Sequence, residues 1–377
     1  MKNRDTGTCR SQFSAFLFWF SARFGYLCTS LTRQSDNAMK HPAETDVAVL
    51  LLFFNRPDTF RLVFEQVKKA RPTRLFLYQD GPRGERDMAG IEACRRIAGD
   101  IDWECEVHRM YQTRNYGCDP SEYISQKWAF SMADKCIVLE DDDVPSLSFF
   151  TFCKAMLDRY EHDERVWMVA GFNSEETTAD VEADYFFTSV FSIWGWASWR
   201  RVIDTWDETY SFLDQPQTLR QLEQLIRQRG FRKDFLPMCR DHRNSGKAYY
   251  ETIFWASMLL NSGLAIMPAK NLVNNMGVTA ESTHFSASLD TLPTPLRKMF
   301  TMKRHELLFP LRHPEHVMEN VAYKECVYRR NAWGHPWIKV RYSLEELLRN
   351  LRHGNFGRIG KALSQRMAKW AGRNRHA

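Results

Sequence analysis

Four acidic residues in a row, Glu140, Asp141, Asp142 and Asp143, follow the apolar run Cys136 to Leu139. Carboxylates packed this closely repel one another, and a divalent cation is the ordinary way to reverse the local field. The run contains only oxygen donors, which favours Mg²⁺ or Mn²⁺ over Zn²⁺. If the strand persists through the acids, alternation puts Glu140 and Asp142 on one side and Asp141 and Asp143 on the other. The bland alternative is a solvent-facing acidic turn, or an N-cap arrangement ahead of a helix near Ser146.

Three more polar turns follow expected strands. Val47 to Phe54 (VAVLLLFF) leads into Asn55 and Arg56, Arg74 to Gln79 into Asp80 and Arg83, and Trp103 to Met110 into Arg114 and Asn115. The first run reads as a strand buried on both faces, and each turn is followed by a helix, near Phe60 to Val67, Arg86 to Ile97, Ser121 to Met132 and Ser146 to Tyr160. Four such units predict an α/β protein built on an open, mostly parallel, doubly wound sheet flanked by helices. Ligands of such sheets bind outside the carboxyl ends of the strands, where all four polar turns converge. Their mixture of cations, amides and carboxylates suits a ligand carrying phosphates, a metal and a sugar or base.

Later come apolar segments at Val166 to Ala170 and Tyr185 to Phe191, helices at Leu219 to Arg229 and Thr252 to Asn261, and a short strand at Leu264 to Met267. Three regions are expected: an N-terminal extension over 1–45, the α/β domain over 46–285, and a basic, mainly helical C-terminal region over 286–377. The 377 residues, 44% hydrophobic and 26% charged, exclude a disordered, collagen-like or coiled-coil chain. There is no Gly-x-Gly-x-x-Gly, P-loop, Gly-x-Ser-x-Gly or His-Glu-x-x-His motif.

The net charge of +6 is unevenly placed. Residues 331–377 hold ten Lys/Arg against two Glu, residues 1–40 hold six against two Asp, and the middle is acidic. Basic ends suit contact with an anionic membrane better than nucleic acid, which is not expected as a partner. Leu344, Leu347, Leu348 and Leu351 share one helical face, either to pack on the domain or to lie in a membrane surface. Nine scattered cysteines without a Cys-x-x-Cys pair favour a reducing compartment. The uncharged stretch between Arg10 and Arg23 is too short to span a bilayer, and Met39 is an alternative start. The expected location is cytoplasmic, with peripheral contact on the inner face of the cell membrane.

FNRP (Phe54 to Pro57), DGPR (Asp80 to Arg83), RNYG (Arg114 to Gly117), LEDDDVPSLSFFTF (Leu139 to Phe152), WGWASWRR (Trp194 to Arg201), NLVNNMG (Asn271 to Gly277) and STH (Ser282 to His284) occur in that order. The set resembles bacterial nucleotide-sugar glycosyltransferases of the GT-A fold, related to the N-acetylglucosaminyltransferase I group and to family 2, over Val47 to Phe285. The resemblance implies nucleoside contacts at Phe54, Asn55, Arg56 and Asp80, with further contacts at Arg114 and Asn115. Glu140, Asp141 and Asp142 match its acidic motif, whose last carboxylate meets a Mn²⁺ bridging the diphosphate. Trp194, Gly195 and Trp196 match a turn lining the sugar and acceptor pocket; aromatic core packing is the other reading of the two indoles. His284 is a further metal ligand, a phosphate donor, or a structural histidine.

The family's base sits in a Trp-Asp pair at the start of a late helix. Here Tyr250-Glu251 holds that place, so Glu251 is the candidate base, with Asp207 and Asp241 as alternatives. The implied activity is inverting transfer of a sugar from a nucleotide-diphosphate donor, UDP-linked as first choice, to a cell-surface glycan or lipid-linked acceptor. The rival readings are a sugar-phosphate nucleotidyltransferase, which would bring a glycine-rich first loop, and a non-catalytic nucleotide-sugar binding module.

Overall fold

A computed structural model describes residues 40–277 and 289–357, together with 359, 360 and 364. The described residues all belong to one compact unit. The first half alternates β1 (Thr45–Phe53), α1 (Pro57–Ala70), β2 (Pro72–Gln79), α2 (Glu85–Ala98), β3 (Glu106–Tyr111), α3 (Cys118–Met132), β4 (Lys135–Glu140), β5 (Asp143–Pro145) and α4 (Leu147–Arg159). The second half runs through β6 (Val166–Ala170), β7 (Tyr185–Thr188), β8 (Trp196–Trp199), α5 (Arg200–Ile203), α6 (Pro216–Leu225), α7 (Arg229–Ser245), α8 (Tyr250–Leu260), β9 (Leu264–Pro268) and β10 (Val273–Asn275). Three helices follow: α9 (Thr294–Met299), α10 (Val321–Arg330) and α11 (Pro336–Arg352).

The α/β class and the mostly parallel sheet flanked by helices are as expected. Eight strands lie in the order β3-β2-β1-β4-β8-β6-β9-β7, with β3, β2, β1 and β4 mutually parallel. β8 inserts antiparallel between β4 and β6, and β7 closes the far edge antiparallel to β9. β5 and β10 form a separate antiparallel pair. In β1, every residue from Val47 to Phe53 is buried, the signature of a strand covered on both faces. Helix α1 shows how its neighbours hold it: Pro57 opens it, Asp58 and Lys68-Lys69 suit its dipole, and Phe60, Val63, Phe64 and Val67 bury one face.

Some boundaries differ from the sequence reading for identifiable reasons. The third strand starts at Glu106 rather than Trp103, because the Trp103 indole turns into the core and donates to the Pro72 carbonyl at 2.9 Å. The Trp-rich stretch supplies β8, four residues long and too short to show a period. Helix α7 was not expected: it carries Pro237 and a dense set of charges, yet buries Phe231, Phe235, Leu236 and Cys239 along one side. Residues 302–320 run as a strap over the domain. Glu306 accepts from the N–H groups of Leu147 and Ser148 at the start of α4, and His305 N donates to the Asn271 carbonyl. The seven described cysteines are free thiols, and none of the described helices is long and apolar enough to cross a membrane.

The loops after β2 and β3 are pressed together at Gly81, where a Cβ would stand 2.5 Å from the Arg114 backbone. Gly81→Ala must therefore separate the two loops. It is expected to destabilise by about 1–3 kcal/mol, read as a lower urea midpoint; an unchanged midpoint would contradict this packing.

Candidate active site

Because β1, β2, β3 and β4 are adjacent and parallel, the loops after them open on one edge of the sheet. They enclose a crevice of about 560 Å³ lined by Phe54, Arg56, Arg83, Glu122, Glu140 and Asp141, among others. Phe54 lies beneath the Arg83 guanidinium at 5.0 Å, and Arg83 also pairs with Asp87 at 2.7 Å. Asn55 lines the crevice while donating to Asp87 at 2.7 Å. Asp80 is a brace: its oxygens accept from the N–H groups of Gly81, Tyr116 and Gly117 and from the Asn115 amide, all at 2.9 Å. It thus fixes the shape of the crevice wall, to which Asn115 also belongs. Arg114 stands over the Tyr116 ring at 4.4 Å, outside the crevice lining.

The three aspartates of the acidic run are answered by an arginine, an amide and a backbone N–H. Arg56 pairs with Asp141 and, at 2.8 Å, with Asp142 Oδ2. Asn275 donates to Asp142 Oδ1 and to Asp143 Oδ1, both at 3.0 Å. Asp143 Oδ2 accepts from Gly195 N at 2.9 Å, and Gly195 makes that turn with φ +62°. Burial would lower the Arg56 pKa, but Asp141 and Asp142 outweigh it and hold the guanidinium charged. Burial raises Asp141 to about 6 against the pull of Arg56. Both Asp142 oxygens have partners, and a side chain at Gly277 would run into the same carboxylate. In this arrangement the donor set at Asp142 does not fit a metal ion. His284 lies outside the described residues.

A second group of carboxylates fits an ion better. Asp119, Glu122 and Glu251 each bring one oxygen within 4.8 Å of the others. Glu122 Oε2 is buried and has no hydrogen-bond partner, while its Oε1 accepts from the Cys118 thiol at 3.2 Å. Beside the group, the buried Tyr250 hydroxyl also lacks a partner, and its phenol feels the charges of Glu140, Glu122 and Glu251. Burial, then Glu251, pushes the Glu122 carboxyl well above the usual carboxylate range; burial, then Glu122, does the same to Glu140. Hard oxygen donors with an unsatisfied buried oxygen are the chemistry expected of a Mg²⁺ or Mn²⁺ seat.

Glu251 also lines a second cavity of about 350 Å³, with Phe191, Trp194, Trp255 and Phe300. Trp194 is wedged between Phe172 and Phe300, with ring centroids at 4.5 and 5.0 Å. Trp196, by contrast, is 1% exposed and lies between Phe130 and Tyr250 in the core, so it supports the site rather than lining it. The structure therefore gathers Phe54, Asn55, Arg56, Asp80, Asn115, Glu140 and Asp141 at the first cavity, and Trp194 and Glu251 at the second. Sequence reasoning missed Asp119, Glu122 and Asn275. The first two sit three residues apart on α3, a spacing that places them on one face.

No family model matches the chain, and no curated protein matches it. Among solved structures it is similar to a mycobacterial protein at 12% identity, over 42% of this chain and 54% of that one, with a TM-score of 0.26. It is also similar to the inositol-1-phosphate CTP transferase from T. maritima at 12% identity, over 44% and 76% of the two chains, with a TM-score of 0.27. The chain spans about half the length of the first. At these scores neither likeness informs the activity of this chain.

The raised Glu122 and Glu140 carboxyls carry a pH dependence. Each binds its proton more tightly folded than unfolded, so each destabilises the fold as pH rises above the ordinary carboxylate range. In EDTA, Glu122→Gln is expected to be more stable than the native chain at pH 8 by about 1–3 kcal/mol, with the gap closing toward pH 4. Thermal melts across that range check this; a gap that is constant with pH would contradict the burial of a charged Glu122.

Proposed function

We propose that the chain is a glycosyltransferase that moves a sugar from a nucleotide-diphosphate donor, UDP-linked as first choice, to a glycan or lipid-linked acceptor. The observation that carries this reading is the junction of the two cavities. Glu122 lines the polar crevice, Glu251 lines the aromatic cavity, and their carboxylates belong to one group within 4.8 Å. A donor held in the crevice would have its diphosphate near Arg56 and Arg83. An acceptor in the aromatic cavity would lie against Trp194, Trp255 and Phe300, ring faces suited to the apolar side of a sugar.

In the reaction, an acceptor hydroxyl oxygen bonds to the anomeric carbon as the bond from that carbon to the phosphate oxygen breaks. The nucleoside diphosphate leaves with the electron pair, and the acceptor proton passes to a carboxylate. Single displacement of this kind inverts the anomeric centre. Glu251 is the proton acceptor in this reading, because it is the member of the group that lines the aromatic cavity. Arg83, at the mouth of the crevice, would oppose the charge that grows on the leaving group.

Mg²⁺ or Mn²⁺ is the proposed cofactor. Asp119, Glu122 and Glu251 would hold it, each through one oxygen, and it would supply positive charge beside the diphosphate. A nucleotidyltransferase is less well supported, because the loop between β1 and α1 is Phe54-Asn55-Arg56, without a glycine.

Purified full-length protein incubated with a panel of nucleotide sugars, candidate glycan acceptors and Mn²⁺ is expected to release nucleoside diphosphate, and EDTA is expected to stop it. Glu251→Gln is expected to lower kcat by roughly 10²–10⁴-fold while donor binding persists. Pyrophosphate release, donor binding without turnover, or no donor binding at all would each overturn the proposal.

A further inference from the structure

Helix α11 is mounted with its apolar side outward. Trp337, Val340, Leu344, Leu347, Leu348 and Leu351 fall within an arc of about 100° on a helical wheel, and they are between 39% and 82% exposed. The side that meets the protein carries Glu345, Arg349 and Asn350, with Ile338 and Tyr342 half-buried among them. Glu345 accepts from the Thr294 N–H at 2.9 Å and from the Thr294 hydroxyl, and Arg349 donates to Thr294 Oγ1 at 2.9 Å and to the Asp290 carbonyl at 3.3 Å. Asn350 is the buried residue of the helix. A helix that serves only its own fold does the reverse, turning its leucines inward. A stripe of this length, with Phe356 exposed beyond it, marks an interaction surface.

The charges around the stripe say what it meets. Arg341 and Arg352, both exposed, stand beside it on the wheel, about 40° and 60° round from Trp337. Past Arg352, residues 353–377 contain six Lys/Arg and no Asp or Glu. Two copies of so basic a segment repel each other, which disfavours pairing of α11 with itself. A nucleic-acid backbone would meet the cations but has nothing to cover the leucines.

We propose that α11 lies flat on an anionic lipid surface. Its leucines and Trp337 enter the boundary between headgroups and acyl chains, while Arg341 and Arg352 meet lipid phosphates. This does not depend on the reaction proposed above; it concerns where the protein works.

Flotation of full-length protein with vesicles tests it, using phosphatidylcholine alone and phosphatidylcholine with about one third phosphatidylglycerol. Binding is expected to the anionic vesicles, about tenfold weaker to the neutral ones, and weaker as salt is raised. Leu344→Glu with Leu348→Glu, and separately Arg341→Glu with Arg352→Glu, are each expected to lower binding by about tenfold or more. These positions are exposed, so the thermal melts of both variants are expected to match the native chain. Failure to float with anionic vesicles, or flotation indifferent to both variants, would overturn the proposal. So would a concentration-dependent dimer in lipid-free buffer that the leucine variant dissolves, which would assign the stripe to a second copy.

Discussion

The structure turns on how one end of a sheet tolerates a crowd of buried carboxylates. Asp141, Asp142 and Asp143 are each less than a tenth exposed, and Glu122 and Glu140 have their carboxyls pushed upward by burial. Bringing several such groups together costs stability unless each finds a counter-charge or a donor. The protein divides them into two sets. Arg56, Asn275 and the Gly195 N–H answer the three aspartates, while Glu122 keeps an unpartnered oxygen next to Asp119 and Glu251. The first set behaves as architecture, and in the second it is the buried Glu122 Oε2 that lacks a hydrogen-bond partner.

That division follows from the topology. Parallel β1, β2, β3 and β4 send their loops to one edge, and the antiparallel β8 brings the Gly195 turn to the same place. β10 lies against β5, which delivers Asn275 to the aspartates. Helix α3 leaves the third loop carrying Asp119 and Glu122, and α8 begins with Tyr250 and Glu251. Residues far apart in sequence, from Arg56 to Asn275, therefore meet around one acidic centre with a polar cavity and an aromatic cavity on either side of it.

The sheet was legible because its strands are long, apolar and followed by polar turns; β1 is the clearest case. The crevice was legible for the same reason, since Phe54, Asn55, Asp80, Asn115 and Glu140 all sit where a strand ends. The partners of the acids were not. Arg56 stands 85 residues from Asp141 and Asn275 stands 132 from Asp143, and no local pattern encodes such pairings. Trp194 and Trp196 show the limit from the other direction: two indoles in one motif, one in a cavity wall and one in the core, with the left-handed turn at Gly195 between them. The leucine face of α11 was visible in the sequence, but its outward direction emerged only from the hydrogen bonds of Glu345 and Arg349.

The central claim is the separation of a structural acidic set from the proposed metal-holding one. Anomalous diffraction from crystals soaked with Mn²⁺ and UDP tests it most directly. The predicted result is a manganese peak held by Asp119, Glu122 and Glu251, with the diphosphate in the crevice and Arg56 still on Asp141. A manganese peak on Asp142 with Arg56 displaced, or no peak among these carboxylates, would contradict it.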